Sequence, residues 1–324
     1  MRLLPLVVLL LLSACAVQSG PADSRPGAPP VQDGEFVMPD GARLPYRAWL
    51  PEGPPKAVVL ALHGFNDSRD AWEIPAPGLT SQGIAIFAPD QRGFGQAPGR
   101  GLWAGGDKMA DDAAAMTEDL HQRYPDTRLI MMGESMGAAV LMVLAARPDR
   151  PDAAGWVLLA PAVWGRAEMN PFLRGSLWLA STVAPDLAVT GSSFVHVTAT
   201  DNREALHRLS TDPLTIRSTR FGTLKGLVDL MDAALAAAPR LPPNTMLLYG
   251  GKDELVPKQA TTATWRALPP GARTAFYENG YHLLLRDQDR ALPIGDIAAW
   301  ILARPPTLPS GADRQAAAWL AGRE

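Results

Sequence analysis

A serine at position 135 stands between two glycines, in the string G-E-S-M-G at positions 133–137. The apolar run 128–132 before it predicts a buried strand, and the small-residue run 138–142 after it predicts a helix. A sharp turn between a strand and a helix holds its serine in a strained backbone conformation, and glycine is needed on both sides because a side chain would collide there. We therefore expect the hydroxyl of Ser135 to stand clear of the sheet edge as a nucleophile, close to the positive end of the following helix.

A serine hydroxyl is a weak nucleophile at neutral pH, so Ser135 needs a base, and the base needs an orienting carboxylate. Asp253 follows one predicted strand downstream, and His282 follows the last predicted strand. All three residues then lie at the carboxyl ends of strands, in the chain order Ser, Asp, His. Glu254 remains a rival to Asp253 because it is the next residue. The pattern predicts a catalytic triad in which His282 is the base.

The string H-G-F at positions 63–65 ends the strand that we expect beside the serine turn. Glycine allows the backbone to turn there, so the N–H of Phe65 can point towards an oxyanion, and the N–H of Met136 supplies a second donor. We expect His63 to brace this loop rather than to act as a base.

The composition favours one large folded domain over a nucleic-acid-binding or disordered protein. The chain has 324 residues, of which 47% are hydrophobic and 19% charged, which is enough apolar material for a large core. The net charge is -3 and the isoelectric point about 6.0, so no basic field favours a nucleic-acid partner.

The first 14 residues have a short basic start and an apolar stretch that is too short to span a membrane, as in an export signal. This segment leads into L-S-A-C at positions 12–15, which resembles the bacterial lipobox. The resemblance implies that Cys15, the single cysteine, is lipidated and anchors the protein to a membrane of the cell envelope, facing the periplasm. The alternative is an ordinary signal peptide with an incidental cysteine. Residues 15–34 have no periodic apolar face and predict a flexible tether.

Strands and helices alternate along most of the remaining chain. Residues 35–165 begin with a predicted hairpin and continue with buried strands and helices, one of them over 71–82, which predicts a mostly parallel sheet with helices on both faces. The alternation stops over 166–220, which we interpret as an inserted, mainly helical cap, and it resumes over 221–304. The C-terminal tail, 305–324, contains a short predicted helix over 315–320 without an evident role.

Five motifs resemble one branch of the α/β-hydrolase superfamily, which contains monoacylglycerol lipases and lysophospholipases. These are H-G-F, P-D-Q-R-G-F-G-Q, G-E-S-M-G, G-K-D-x-x-V-P and H-L-L-L. The resemblance covers about residues 36–303 and implies an α/β-hydrolase fold, a cap over the pocket, and no metal or organic cofactor. It also favours Asp253 over Glu254, because the family has a G-x-x-D pattern at this place.

We accordingly expect a serine ester hydrolase that acts on an acyl lipid, such as a monoacylglycerol or a lysophospholipid, through an acyl-enzyme at Ser135. Trp164, Phe172 and Trp178, in and beside the cap, would suit an acyl chain, or would simply pack the cap. A peptidase or thioesterase with the same triad is an alternative, since only the pocket differs. A different class of function is a non-catalytic envelope lipoprotein that uses the fold for binding.

Overall fold

The structure is a computed structural model that describes residues 30–190 and 197–322. Within these ranges the strands are β1 (Val31–Val37), β2 (Arg43–Trp49), β3 (Ala57–Leu62), β4 (Ile84–Pro89), β5 (Arg128–Glu134), β6 (Gly155–Leu159), β7 (Ala188–Thr190), β8 (Ser218–Arg220), β9 (Thr245–Gly250) and β10 (Arg273–Tyr277). The α-helices are α1 (Ala76–Thr80), α2 (Gly106–Arg123), α3 (Met136–Ala145), α4 (Pro171–Val183), α5 (Arg203–Thr211), α6 (Phe221–Ala237), α7 (Lys258–Arg266), α8 (Ala291–Ala303) and α9 (Ala312–Ala321).

The central sheet has the strand order β1-β2-β4-β3-β5-β6-β9-β10. The pairs β1 with β2 and β2 with β4 are antiparallel, and the pairs from β4 to β10 are parallel. This confirms the predicted mostly parallel sheet with an antiparallel hairpin at its edge. All carboxyl ends of the parallel strands therefore meet at one edge, which is where Ser135 and the segments after β9 and β10 lie.

Strand β3 shows why its sequence is an unbroken apolar run. Val58, Leu60 and Leu62 face one hydrophobic core, and the alternate residues Val59 and Ala61 face the other. A strand that is covered on both faces needs apolar side chains in both directions. The first core lies under α2, α3 and α6, and the second lies under α1 and α8. Helices on both faces thus hold the site edge of the sheet rigid.

The N-terminal strand β1 begins at Val31, so the last residues of the predicted tether 15–34 belong to this strand. The predicted C-terminal end of the tether was wrong for this reason. Val31 pairs with Trp49 and Gly34 pairs with Tyr46 in the antiparallel ladder. Most of β1 is exposed at the sheet edge, which explains why its sequence shows no apolar alternation. Residue 15 and the rest of the predicted signal and tether up to residue 29 lie outside the described residues.

The helix predicted over 71–82 is divided into two shorter pieces. A 3-10 turn covers Arg69–Trp72, and helix α1 covers only Ala76–Thr80. The break falls at the prolines, since Pro75 and Pro77 lack the N–H groups that a continuous helix would need there. Proline is tolerated at the start of α1, where those groups would have no partner within the helix.

The cap lies between β6 and α6 and contains the helices α4 and α5, in agreement with the mainly helical insertion predicted over 166–220. It also contains an unpredicted two-stranded antiparallel sheet, in which Ala188 of β7 pairs with Arg220 of β8. These strands are three residues long and largely exposed, so no apolar run marks them in the sequence.

The C-terminal helix α9 has a clear packing role that the sequence did not indicate. It lies against β10, and the ring of Trp319 stacks on Phe276 with ring centroids 5.0 Å apart. Trp319 also contacts Trp265 of α7 at 5.1 Å and Tyr249 of β9 at 5.8 Å. The tail therefore packs on the last two strands of the sheet, β9 and β10, which lead into the segments with Asp253 and His282.

Candidate active site

Ser135 occupies a sharp turn between β5, which ends at Glu134, and α3, which begins at Met136. Its backbone has φ 53° and ψ -113°, a conformation that side-chain-bearing residues rarely adopt. The N–H of Ser135 donates to Leu159 O at 2.9 Å, which ties the turn to the neighbouring strand β6. The strain predicted for this position is present, and it is held by the surrounding sheet.

The two flanking glycines are required by close backbone contacts. A Cβ atom on Gly133 would lie 2.6 Å from Ala138 N, and one on Gly137 would lie 2.5 Å from Leu62 O at the end of β3. Real Cβ atoms do not approach backbone atoms this closely. The G-x-S-x-G pattern thus encodes the packing of the turn against its own helix and the adjacent strand.

His282 and Asp253 are brought together by the segments that follow β10 and β9. His282 Nδ1 and Asp253 Oδ2 are 2.8 Å apart, and both side chains are buried. The other oxygen, Asp253 Oδ1, accepts from the backbone N–H groups of Leu255 at 2.8 Å and Val256 at 2.9 Å. These bonds fix the carboxylate so that Nδ1 of His282 donates to it, which leaves Nε2 free to accept a proton.

Burial by itself lowers the pKa of His282, but the charge of Asp253 and its hydrogen bond raise it more. The carboxylate of Glu134 adds to the increase, and the guanidinium of Arg286 opposes it. The net effect is that the pKa of His282 lies above its ordinary value. The site therefore strengthens the histidine as a base.

Glu254 has a different partner from Asp253. Its Oε2 atom accepts a hydrogen bond from the backbone N–H of Thr198 at 2.8 Å, in the part of the cap that precedes α5. The geometry thus pairs His282 with Asp253 and gives the neighbouring Glu254 a contact with the cap.

The loop after β3 lies against the serine turn. A Cβ atom on Gly64 would be 3.5 Å from Ser135 Cβ, so the backbone on either side of Gly64 passes directly beside the serine. Within the described residues, the N–H groups of Phe65 and Met136 donate no hydrogen bond to the protein. Both donors predicted for an oxyanion are consequently available next to Ser135.

His63 braces this loop, as the sequence suggested. Its Nε2 atom accepts from the N–H of Gln91 at 3.0 Å, so the proton is on Nδ1, which donates to Gly64 O at 2.8 Å. The side-chain amide of Gln91 also donates to His63 O at 2.8 Å. Since both ring nitrogens are used and the ring is fully buried, His63 has a structural role.

A buried ion cluster behind the site was not recognised in the sequence. Arg286 Nη2 lies 2.8 Å from Asp67 Oδ2 and also pairs with Glu134 Oε1, and all three side chains are less than a tenth exposed. Glu134 is the variable residue of the G-x-S-x-G motif, and Arg286 ends the string H-L-L-L-R. The sequence signal of the cluster is a charged residue within each of these two motifs, but this signal does not show that the two charges pair.

The apolar residues that the sequence suggested for the acyl chain differ in their exposure to solvent. Phe172 and Trp178 lie on α4 with 84% and 64% of their surface exposed, and Trp164 is half-buried before that helix. Helix α4 buries none of its residues. The large apolar side chains of α4 are thus exposed on the surface of the cap.

Within the described ranges, no group of three or more His, Cys, Asp or Glu residues could hold a metal ion. In the same part of the chain, no helix is long and apolar enough to cross a membrane. The predicted lipidation site, Cys15, lies outside the described residues.

The sheet, the strained serine and the His282–Asp253 pair are the features of an α/β-hydrolase. Comparison with known proteins places the chain among the carboxylic ester hydrolases of this class. The chain belongs to the Hydrolase_4 family, described as serine aminopeptidase S33, whose sequence model matches residues 53–289. The family match therefore includes all three predicted triad residues.

Individual relatives agree with this assignment. A monoglyceride lipase of Mus musculus is 28% identical over 268 residues, which cover 80% of this chain and 86% of the relative. A monoacylglycerol lipase of Mycolicibacterium smegmatis is 23% identical over 271 residues, which cover 83% and 96% of the two chains. The crystal structure of Paleococcus ferrophilus monoacylglycerol lipase superposes with a TM-score of 0.67 at 18% identity, covering 85% of this chain and all of that one, which shows the shared fold.

Proposed function

We propose that Ser135, His282 and Asp253 form a catalytic triad and that the enzyme hydrolyses esters of acyl lipids, such as monoacylglycerols or lysophospholipids. The observation that carries the proposal is the 2.8 Å hydrogen bond between His282 and Asp253, at the sheet edge where Ser135 is held in its strained turn. The relatives named as monoacylglycerol lipases support the choice of substrate class.

In the acylation half-reaction, Ser135 Oγ attacks the ester carbonyl carbon while His282 Nε2 takes the hydroxyl proton. The carbonyl oxygen becomes an oxyanion, which the N–H groups of Phe65 and Met136 stabilise. Each such donor contributes about 3 kcal/mol to lowering the barrier. The tetrahedral intermediate then breaks its bond to the alcohol oxygen, which leaves with the proton from His282.

In the deacylation half-reaction, a water molecule attacks the acyl carbon and gives a proton to His282 Nε2. The second tetrahedral intermediate breaks its bond to Ser135 Oγ, which regains the proton as the fatty acid is released. Asp253 stays ionised throughout and stabilises the imidazolium that forms in each half-reaction. The raised pKa of His282 suits a base that must hold this proton transiently.

The apolar face of α4 supports a substrate that comes from a lipid aggregate. Phe172 and Trp178 are exposed on this helix, together with Leu179 and Val183. Monomeric proteins rarely expose contiguous apolar patches of large size without a binding role. We propose that the acyl chain meets this face and Trp164 on its way to Ser135.

The placement of the enzyme follows from the N-terminal segment. We propose that Cys15 is lipidated and holds the hydrolase at a membrane of the cell envelope, close to its lipid substrates. In cell fractionation, the wild-type protein should partition into the detergent phase, and Cys15→Ser should release it into the aqueous phase with the hydrolase activity retained. A wild-type protein that is wholly aqueous, with a mature N-terminus other than residue 15, would contradict the anchor alone.

The substrate class is tested by profiling the purified full-length chain with monoacylglycerols, lysophospholipids, acyl thioesters and aminoacyl anilides. We expect the carboxylic esters with long acyl chains to be turned over fastest, and Ser135→Ala to remove this turnover. Faster hydrolysis of aminoacyl anilides would favour the second candidate, a serine aminopeptidase, which the family's description supports. Absence of turnover on all four classes would favour a non-catalytic binding role.

A further inference from the structure

We infer that Arg286 is a positioning residue, whose single guanidinium holds the serine turn, the oxyanion loop and the His282 segment in one arrangement. This inference rests on the proposed triad and adds to it a residue outside the three that carry the chemistry. Arg286 acts through Asp67 and Glu134, and it does not itself need to touch the substrate.

The three members of the cluster come from the three segments that must be aligned. Asp67 follows the oxyanion donor Phe65 by two residues, Glu134 directly precedes Ser135, and Arg286 follows His282 by four residues. The same atom, Arg286 Nη2, pairs with Asp67 Oδ2 at 2.8 Å and with Glu134 Oε1. A shift of any one segment therefore disturbs the shared guanidinium and, through it, the other two segments.

The cluster is buried, so its loss would be costly. Among the described residues, Arg286 is the only basic group that pairs with either Asp67 or Glu134. Burial lowers the pKa of Arg286, but the charges of Glu134 and Asp67 outweigh this and keep the guanidinium protonated. Removing it would leave two buried carboxylates without a cation, a situation that strongly favours displacement of the loops.

Additional contacts fix the cluster to its surroundings. The Glu134 carboxylate packs on the oxyanion loop, where a Cβ atom on Gly64 would lie 3.6 Å from Glu134 Oε1. The side-chain amide of Asn202, directly before α5 in the cap, donates to Arg286 O at 2.8 Å. The cap thus holds the backbone of Arg286 through Asn202, while the guanidinium of Arg286 pairs with Glu134 in the serine turn.

The cluster also acts on the base, in a way that packing alone would not produce. The charges that act most strongly on His282 are those of Asp253, Glu134 and Arg286. Glu134 raises the pKa of His282, whereas Arg286 lowers it. Removing one or the other charge should therefore move the acidic limb of the pH profile in opposite directions.

The test compares Arg286→Met, Arg286→Lys and Glu134→Gln with the wild-type full-length chain, using a monoacylglycerol substrate. Arg286→Met should lower kcat about ten- to hundredfold with KM changed less than about twofold, because alignment and not binding is lost. Its acidic limb should move to higher pH, and that of Glu134→Gln to lower pH. Arg286→Lys keeps the charge, so it should restore the position of the limb and part of kcat.

Asp112→Asn is the matched control. Asp112 is a buried carboxylate on α2 that accepts from Arg92 Nε at 2.7 Å and Lys108 Nζ at 2.8 Å, so it has a comparable ion cluster away from the triad. This variant should lower the melting temperature without moving the acidic limb. If Arg286→Met does not fold, Glu134→Gln still reports a shift of the acidic limb to lower pH, and Arg286→Lys still reports whether a positive charge alone keeps the limb at the wild-type position.

The inference is overturned if the limbs of Arg286→Met and Glu134→Gln stay at the wild-type pH or move in the same direction. It is also overturned if Arg286→Met loses stability and keeps the wild-type kcat. A failure of the triad looks different, because the wild-type chain would then show neither ester turnover nor labelling of Ser135 by a fluorophosphonate, and both proposals would fall together.

Discussion

Glu254 accepts a hydrogen bond from the backbone N–H of Thr198 at 2.8 Å, although it is the immediate neighbour of the residue that pairs with His282. Two consecutive carboxylates thus have separate partners, one in the predicted triad and one in the cap. The sequence offered Glu254 as a rival, the family resemblance favoured Asp253, and the structure pairs His282 with Asp253.

The two carboxylates should respond very differently to amide substitution. Asp253→Asn should lower kcat by about 10⁴-fold, because an amide favours the wrong tautomer of His282. Glu254→Gln keeps an oxygen that can accept from Thr198, so its activity should stay within about threefold of the wild type. Steady-state kinetics of the two variants measures this, and the reverse ranking would move the triad carboxylate to Glu254.

The pH dependence follows from the raised pKa of His282. Below this pKa, Nε2 is protonated and cannot accept the proton of Ser135, so kcat/KM should fall as the pH falls through it. Since the pKa is raised, the acidic limb should lie above the ordinary histidine value of about 6.5. A profile of kcat/KM against pH tests this, and a limb at or below that value would show that Asp253 does not stabilise the charged imidazole.

The serine turn should tolerate no side chain at Gly133. Gly133→Ala would place a Cβ atom 2.6 Å from Ala138 N, and the resulting shift should lower the free energy of unfolding by about 2 kcal/mol and remove activity. Gly175→Ala is the control, because this glycine lies inside α4 with open space around it. Alanine there should raise stability by about 1 kcal/mol. Equal stability of the two variants in urea unfolding would contradict the packing of the turn.

The C-terminal helix should contribute to stability through Trp319. Trp319→Ala should lower the free energy of unfolding by about 2 kcal/mol, because the ring contacts with Phe276, Trp265 and Tyr249 are lost. The loss is smaller than for a fully buried tryptophan because Trp319 is only partly buried. Gln315→Ala, on the exposed side of α9, is the control and should be close to neutral. Denaturant unfolding measures both, and a neutral Trp319→Ala would mean that α9 does not secure the sheet edge.

The sequence predicted the central sheet well because its buried strands carry unambiguous patterns. Strand β3, for example, is apolar on both faces, and it ends in the H-G-F motif, where the glycine allows the backbone to turn. The turn at Ser135 could be predicted for the same reason, since its two glycines are needed by contacts within a short stretch of chain.

Features that depend on distant contacts could not be read from the sequence. Arg286 lies 152 positions from Glu134, and no local pattern pairs a charge in one apolar string with a charge in another. The same holds for α9, whose packing depends on three aromatic partners elsewhere in the chain. The sequence prediction placed the first residue of strand β1 after its observed start at Val31, because an exposed edge strand needs no apolar alternation.

The most direct measurement identifies the residue that becomes covalently modified when the full-length chain reacts with a fluorophosphonate. Mass spectrometry of the digested protein should place the adduct on Ser135, and the rate of labelling should fall together with monoacylglycerol hydrolysis in Asp253→Asn. Ser135→Ala should show neither labelling nor turnover while it keeps the melting temperature of the wild type. An adduct on another residue, or ester hydrolysis near the wild-type rate in Ser135→Ala, would contradict the assignment of Ser135 as the nucleophile.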